Sequence, residues 1–231
     1  MLDPNFPNWL LKTGNLRIAE FIHFLAEDYA KRGLTKETDR CVAVSGLEAR
    51  IARATRRESR YGIFQRYLHR NLLWQTSDHK ARRIKYTTPI VPSWSWMACS
   101  GGLHFMDKDI PFNSVDWIDD LRFDEEYEYA LVADVGKFRD GMKLDRKHTV
   151  LDSGNEERGW IKYDTEKDKD EESKDLCKER CVVVGRKSKE VKEYYIIVVK
   201  PTSVDGEYRR VGVGLIQSDY MARQRLNARV V

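Results

Sequence analysis

Arg50, Arg53, Arg57 and Arg60 follow one another at steps of three and four, so a helix through them presents one basic face. Guanidinium groups in such a row can bind anions such as phosphate, and Tyr61, Tyr67 and Trp74 nearby can stack bases. Between Leu47 and Lys85 the basic residues also include Arg56, Arg66, Arg70, Lys80, Arg82, Arg83 and Lys85, against Glu48, Glu58 and Asp78. The plainer reading of the stripe is a solvated helix face that pairs with the acidic run after Asp116. Other candidate chemistries lack the spacing they need. Cys177 and Cys181 stand four apart, with no second pair or histidine cluster to complete a tetrahedral metal site. His69 and His79 belong to no His-Glu-x-x-His pattern and read as surface or packing residues. Gly212-Val213-Gly214 sits inside a strand pattern, where it signals a bulge or a close backbone approach and not a dinucleotide loop. Ser45-Gly46 and Ser100-Gly101 lack the nucleophile-elbow pattern. Asp119 and Asp120 lie among Asp116, Asp124, Glu125, Glu126 and Glu128, a run that reads as solvated surface. No catalytic set or metal site emerges from these residues, and no cofactor is expected.

The chain has 231 residues, enough for one large domain or two small ones around a real core. It is 41% apolar and 34% charged, the balance of a soluble globular protein, and its net charge of +4 is too small to imply a nucleic-acid partner without a local cluster. Cys41, Cys99, Cys177 and Cys181 are scattered and follow no secretory signal, which points to reduced thiols and a cytoplasmic protein. No apolar run approaches the roughly 18 residues a membrane helix needs, so no membrane partner is expected.

The elements that must position these residues divide the chain into a helical segment, 1–85, and a β-rich segment, 86–231. Pro4 and Pro7 make Met1 to Asn8 an irregular lead-in. Leu16, Ile18, Ala19, Phe21, Ile22, Phe24 and Leu25 give a helix that Asn15 caps and Gly33 ends. Thr35 is the expected cap of a second helix, whose apolar stripe is Val42, Ala43, Val44, Leu47, Ile51 and Ala54; Gly46 interrupts it and signals close packing or a break. A third helix fits Tyr61 to Trp74. In Val91 to Gly102, the alternation Ser93-Trp94-Ser95-Trp96 predicts a strand with both indoles on one face and both hydroxyls on the other, Pro92 opening it. Its tryptophans read as core rather than as a ligand-stacking platform. Beyond it, 103–106, 127–135, 160–163, 181–184, 194–199 and 209–216 read as strands. The charged run 164–175 reads as a solvated, disordered loop. The expected fold is therefore α+β: three N-terminal helices packed on a mainly antiparallel sheet or partly closed β-barrel, as one co-folded domain.

Several stretches follow in an order that resembles the fungal heterokaryon-incompatibility (HET) domain proteins. Tyr29 to Thr35, ending in Leu34-Thr35, is similar to that family's Tyr-Ser-x-Arg-x-Leu-Thr, and Asp39 to Ser45-Gly46 to its Asp-x-Leu-x-Ala-x-Ser-Gly. Tyr61-Gly62-Ile63-Phe64 and Leu72-Leu73-Trp74 resemble its Tyr-x-Gly-Leu-Trp helix and Leu-Leu-Trp ending, with Phe64 in place of the first tryptophan. Pro92-Ser93-Trp94-Ser95-Trp96 matches its Pro-Ser-Trp-Ser-Trp in full, and Tyr208 to Gly214 resembles its closing segment. The family's TIR-like core, with Leu-Ser-Tyr-x-Trp-Gly and Trp-x-Asp-x-x-Cys-Ile-x-Gln signatures, lies upstream of these motifs and has no counterpart here; Val115 to Asp120 imitates the second signature only superficially. The resemblance implies a C-terminal, non-enzymatic accessory region serving non-self recognition and programmed cell death. It implies a protein partner or the HET core itself, and structural roles for the motif residues. Nucleic-acid or polyphosphate binding through the arginine stripe is the alternative, and an enzyme of its own the third reading.

Overall fold

The computed structural model describes residues 14–32, 34–78, 80–88, 90–106, 110, 115–168, 175–187 and 192–231, with the backbone alone at 223–226. The expected lead-in, the helix stop at Gly33 and His79 lie outside the described residues.

Helix α1 (Asn15–Lys31) buries Ile18, Ala19, Ile22, Ala26 and Ala30, the three-and-four spacing of an amphipathic helix. Its N-cap is Gly14 and not Asn15, whose side-chain oxygen accepts instead from Arg66 at 2.7 Å. Helix α2 (Arg40–Thr55) starts later than Thr35 predicts, because Glu37–Asp39 forms a 3-10 turn and Asp39 takes the cap position. It runs unbroken through Gly46, where an added Cβ would meet nothing within 4 Å, so Gly46 marks neither a break nor close packing. Only Arg40, Ile51 and Thr55 of α2 are fully buried; Val42 and Ala43 face solvent, against the expected stripe.

The predicted helix over 61–74 is mostly absent. Tyr61 and Gly62, both at positive φ, form a tight turn between β1 (Ser59–Arg60) and β2 (Ile63–Phe64). What remains is a single turn, α3 (Leu68–Leu72), after which β3 (Trp74–Thr76) pairs with β4 (Leu103–Phe105). The Trp-containing stretch is not a strand either. Ser95 accepts a hydrogen bond from the Met97 amide at 3.0 Å and opens a 3-10 turn over Trp96–Ala98.

Ten strands form the large sheet among the described residues. They are β5 (Val115–Trp117), β6 (Arg122–Phe123), β7 (Leu131–Phe138), β8 (Lys143–Leu144), β9 (Thr149–Leu151), β10 (Glu157–Tyr163), β11 (Arg180–Lys187), β12 (Glu193–Pro201), β13 (Glu207–Gln217) and β14 (Met221–Val230). The order is β12-β11-β7-β14-β13-β10-β9-β8, with β5 beside β11 and β6 beside β7. All pairings are antiparallel except β13–β14, which is parallel and spans only Glu207↔Arg229 and Tyr208↔Val230. Because β12 also pairs with β13, the pairing returns on itself through that short link. The fold is α+β, built on one large, mainly antiparallel sheet. The strand expected at 127–135 begins at Leu131, and Tyr127 and Tyr129 stay exposed ahead of it.

Period-two alternation divides the long strands between two cores. Tyr195, Ile197 and Val199 of β12 join Val182 and Val213 in a cluster that also holds Trp74, Trp94, Trp96 and Leu72. Ile196 and Val198 point the other way, with Val183, Val211, Phe138, Val150 and Ile161. A third cluster, Ile18, Ile22, Ile51, Phe64 and Tyr67, lies between the helices. The first cluster thus contains residues of both the helical and the β-rich segments. Gly214 is required where β13 pairs with β10, since a Cβ there would lie 2.3 Å from the Trp160 carbonyl oxygen. The close backbone approach expected of this glycine pair is what the structure shows; the register shift opposite Val198 and Val199 falls at Val211, ahead of the pair.

Candidate functional site

Two places in this fold bring distinctive side chains together. One is the Pro-Ser-Trp-Ser-Trp stretch. Pro92 is buried and Trp94 and Trp96 are 0% and 2% exposed, so neither indole offers a stacking surface. Trp94 donates its indole N–H to the Tyr129 carbonyl at 3.1 Å and Trp96 to the Gly62 carbonyl at 3.3 Å. Trp74 donates to the Trp94 carbonyl at 2.9 Å. The Ser95 hydroxyl donates to the Tyr61 carbonyl at 2.7 Å, while Ser93 accepts from the Arg210 amide at 2.7 Å and donates to the Val231 carbonyl. These polar groups tie the motif to the β1–β2 turn, to 129 and to the C-terminal strands. The motif is a clasp.

Beneath it lies an ion-pair network that the sequence did not reveal. Asp164 and Asp168, read as part of a solvated loop, are 1% and 2% exposed, and Glu166–Asp168 forms a 3-10 turn. The guanidinium of Arg210, fully buried, reaches Asp164 at 3.1 Å, the Leu72 and Trp74 carbonyls at 2.6 Å each, and lies 3.6 Å over the Trp74 ring. Arg83 bonds Asp164 at 3.0 Å and Asp168 at 3.2 Å, and Arg209 bonds Asp168 at 2.8 Å. The Thr76 hydroxyl donates to the Asp164 carbonyl at 3.0 Å. Cys99 sits beside this network; burial pushes its thiol up to about 12 against the pull of Arg83 and Arg210, and burial pushes Cys181 to about 12 against the pull of Arg180. Neither is a thiolate nucleophile at neutral pH.

The arginine stripe does not survive as one face. Arg50 and Arg53 lie on α2, but the helix ends at Thr55, and Arg57 and Arg60 lie beyond it. Arg60, its side chain 12% exposed, donates to the carbonyls of Asp124, Tyr127 and Glu128 at 2.7, 3.3 and 3.4 Å and covers the Phe123 ring at 4.8 Å. It is engaged by the backbone of the acidic run. Arg53, Arg56 and Arg57 remain exposed near the helix end. The other motif positions stand apart from the clasp: Leu34 is half-buried, and Thr35, Asp39, Ser45 and Gly46 are exposed, with the Ser45 hydroxyl donating to the Val42 carbonyl at 2.7 Å.

The second place is a groove of about 260 Å³ between α1 and α2. Ile22, Leu25, Ala26, Val44, Leu47 and Ile51 make its apolar walls, and Tyr29, Phe64 and Trp96 add rings. Glu48 enters it from α2 and accepts from the Gly62 amide at 3.0 Å. Gly62 has φ 75, and a Cβ there would lie 2.6 Å from the Trp96 ring nitrogen, so only glycine presents this amide while letting the indole close. Burial pushes the Glu48 carboxyl above its ordinary value, opposed by the Gly62 amide and the Ser59 hydroxyl. The folded chain therefore holds this proton more tightly than the unfolded chain. Stability from Glu48 is greatest below the ordinary value of 4.5 and falls as pH rises through the raised one. Glu48→Gln is expected to lose less stability than the parent between about pH 4 and pH 7, and parallel melting-temperature profiles would contradict this.

A further hollow of about 400 Å³ is lined by Asp116, Asp119, Asp120, Asp134 and Arg186 around Trp117. Among the described residues no group of three or more His, Cys, Asp or Glu is placed to hold a metal ion. Nor, among them, is any helix long and apolar enough to cross a membrane. Fold and site define an α+β protein with a buried clasp and an open, apolar inter-helix groove. Compared with known proteins, the chain matches no family model, no curated protein and no solved structure.

Proposed function

We propose that this chain is a non-enzymatic interaction region of a HET-like protein, acting in the cytoplasm in fungal non-self recognition and incompatibility-linked cell death through protein contacts. The observation that carries this reading is the apolar groove left open between α1 and α2, with half-buried Leu25, Val44 and Leu47 in its walls. Exposed apolar concavities of this kind favour protein contacts. The Pro-Ser-Trp-Ser-Trp resemblance supplies the family, and the engagement of that motif inside the core leaves the helical layer as the surface available to a partner. The proposed partner is the TIR-like HET core.

Calorimetric titration of the chain with a separately expressed HET core tests the proposal. Binding that is lost in Leu47→Arg and reduced in Leu47→Asn, with melting temperatures near the parent's, is the expected result. A core that does not bind, or binds both variants as well as the parent, overturns it. The exposed Arg53, Arg56 and Arg57 keep a second reading in view. A DNA duplex or polyphosphate that binds instead, more weakly as salt rises and not at all to a variant with glutamate at 50, 53 and 57, would replace a protein partner with an anionic one.

A further inference from the structure

We infer that the groove between α1 and α2 takes an arginine side chain of the partner, flanked by apolar residues, with its guanidinium on Glu48. The inference rests on the reading of this groove as the partner site and names what enters it. The charges of the groove argue for it. Glu48 has hydrogen bonds from the Gly62 amide and the Ser59 hydroxyl but no ion-pair partner among the described residues. The other charged groups lining the groove, Asp28 and Arg32, are already paired with each other at 2.6 Å, so the groove carries one uncompensated acidic group. A half-buried carboxylate without a cation gains most from a ligand that brings one.

The Tyr29 ring, which lines the groove, meets Trp96 edge-on at 6.3 Å. A planar guanidinium can meet both oxygens of one carboxylate side by side, whereas an ammonium is a compact point charge. The half-buried Tyr29 ring suits a cation on an apolar stem. The apolar walls to either side call for aliphatic neighbours in the partner segment.

The probe is a capped Leu-Arg-Leu tripeptide, titrated into the whole chain and followed by the NMR signal of the Trp96 indole N–H. The expected result is saturable binding, with Leu-citrulline-Leu weaker by about tenfold or more and Leu-Lys-Leu intermediate. Glu48→Gln should weaken the arginine peptide about tenfold. Equal affinity for the citrulline peptide, or unchanged affinity in Glu48→Gln, overturns the inference. So does failure of the arginine peptide to bind at concentrations where the HET core binds. If core binding is lost in Leu47→Arg yet unchanged in Glu48→Gln, the inference fails while the interaction reading stands. If the peptide binds as expected and the core does not, the groove chemistry holds and the HET partner falls.

Discussion

Replacing Asp164 with alanine is expected to cost about 3–5 kcal/mol of stability, read as a lower urea midpoint with an unchanged slope. Asp164 is 1% exposed and takes both the Nε and an Nη of Arg210, each at 3.1 Å, as well as an Nη of Arg83 at 3.0 Å. Its removal leaves the Arg210 guanidinium, itself 0% exposed, with two carbonyls and the Trp74 ring but no counter-charge. An unpaired buried charge is the costly outcome, whereas loss of both partners together is far less so. The double variant Asp164→Leu with Arg210→Met should therefore recover much of the loss. A loss below about 1 kcal/mol in Asp164→Ala would show that the pair is open to solvent and not a buried lock.

Trp94→Ala is the second large effect, expected at about 3–5 kcal/mol. The indole is 0% exposed and meets Tyr61 and Phe123, each at 5.9 Å between ring centres. Its loss opens a cavity where helical and β-rich segments meet and leaves the Tyr129 carbonyl without the indole donor now at 3.1 Å. Phe24→Ala is the matched control: that ring is 61% exposed and its loss should stay within about 0.5 kcal/mol. An unmoved melting temperature in Trp94→Ala would mean that the tryptophan is a surface platform after all.

How much of this was legible depended on whether the deciding interaction was local. Strands β10 to β13 were readable because β-branched and aromatic residues dominate them and alternate faces, and the two cores on either side follow that alternation. Strand β14 escaped notice because Arg223, Gln224, Arg225 and Asn227 give its sequence no apolar period. The helix expected at 61–74 failed at Tyr61 and Gly62, whose positive φ values make a turn that apolar spacing does not record. The Ser-Trp-Ser-Trp alternation imitated a strand, while the Ser95 hydroxyl was capping a 3-10 turn. Asp164 and Asp168 shared the composition of a solvated run, and the arginines that bury them, Arg83, Arg209 and Arg210, are far away in the chain. The groove itself lies between α1 and α2, whose mutual placement no spacing within either helix encodes.

The clasp and its ion-pair lock imply that helices and sheet unfold as one unit around the Trp stretch, and an equilibrium urea titration followed by two probes tests this most directly. Tryptophan fluorescence reports the clasp, and far-ultraviolet circular dichroism reports the helices and the sheet. The account predicts one cooperative transition with the same midpoint by both probes and blue-shifted native emission. Separate midpoints, or gradual loss from a red-shifted start, would contradict it and show that the helical layer is not held by the motif.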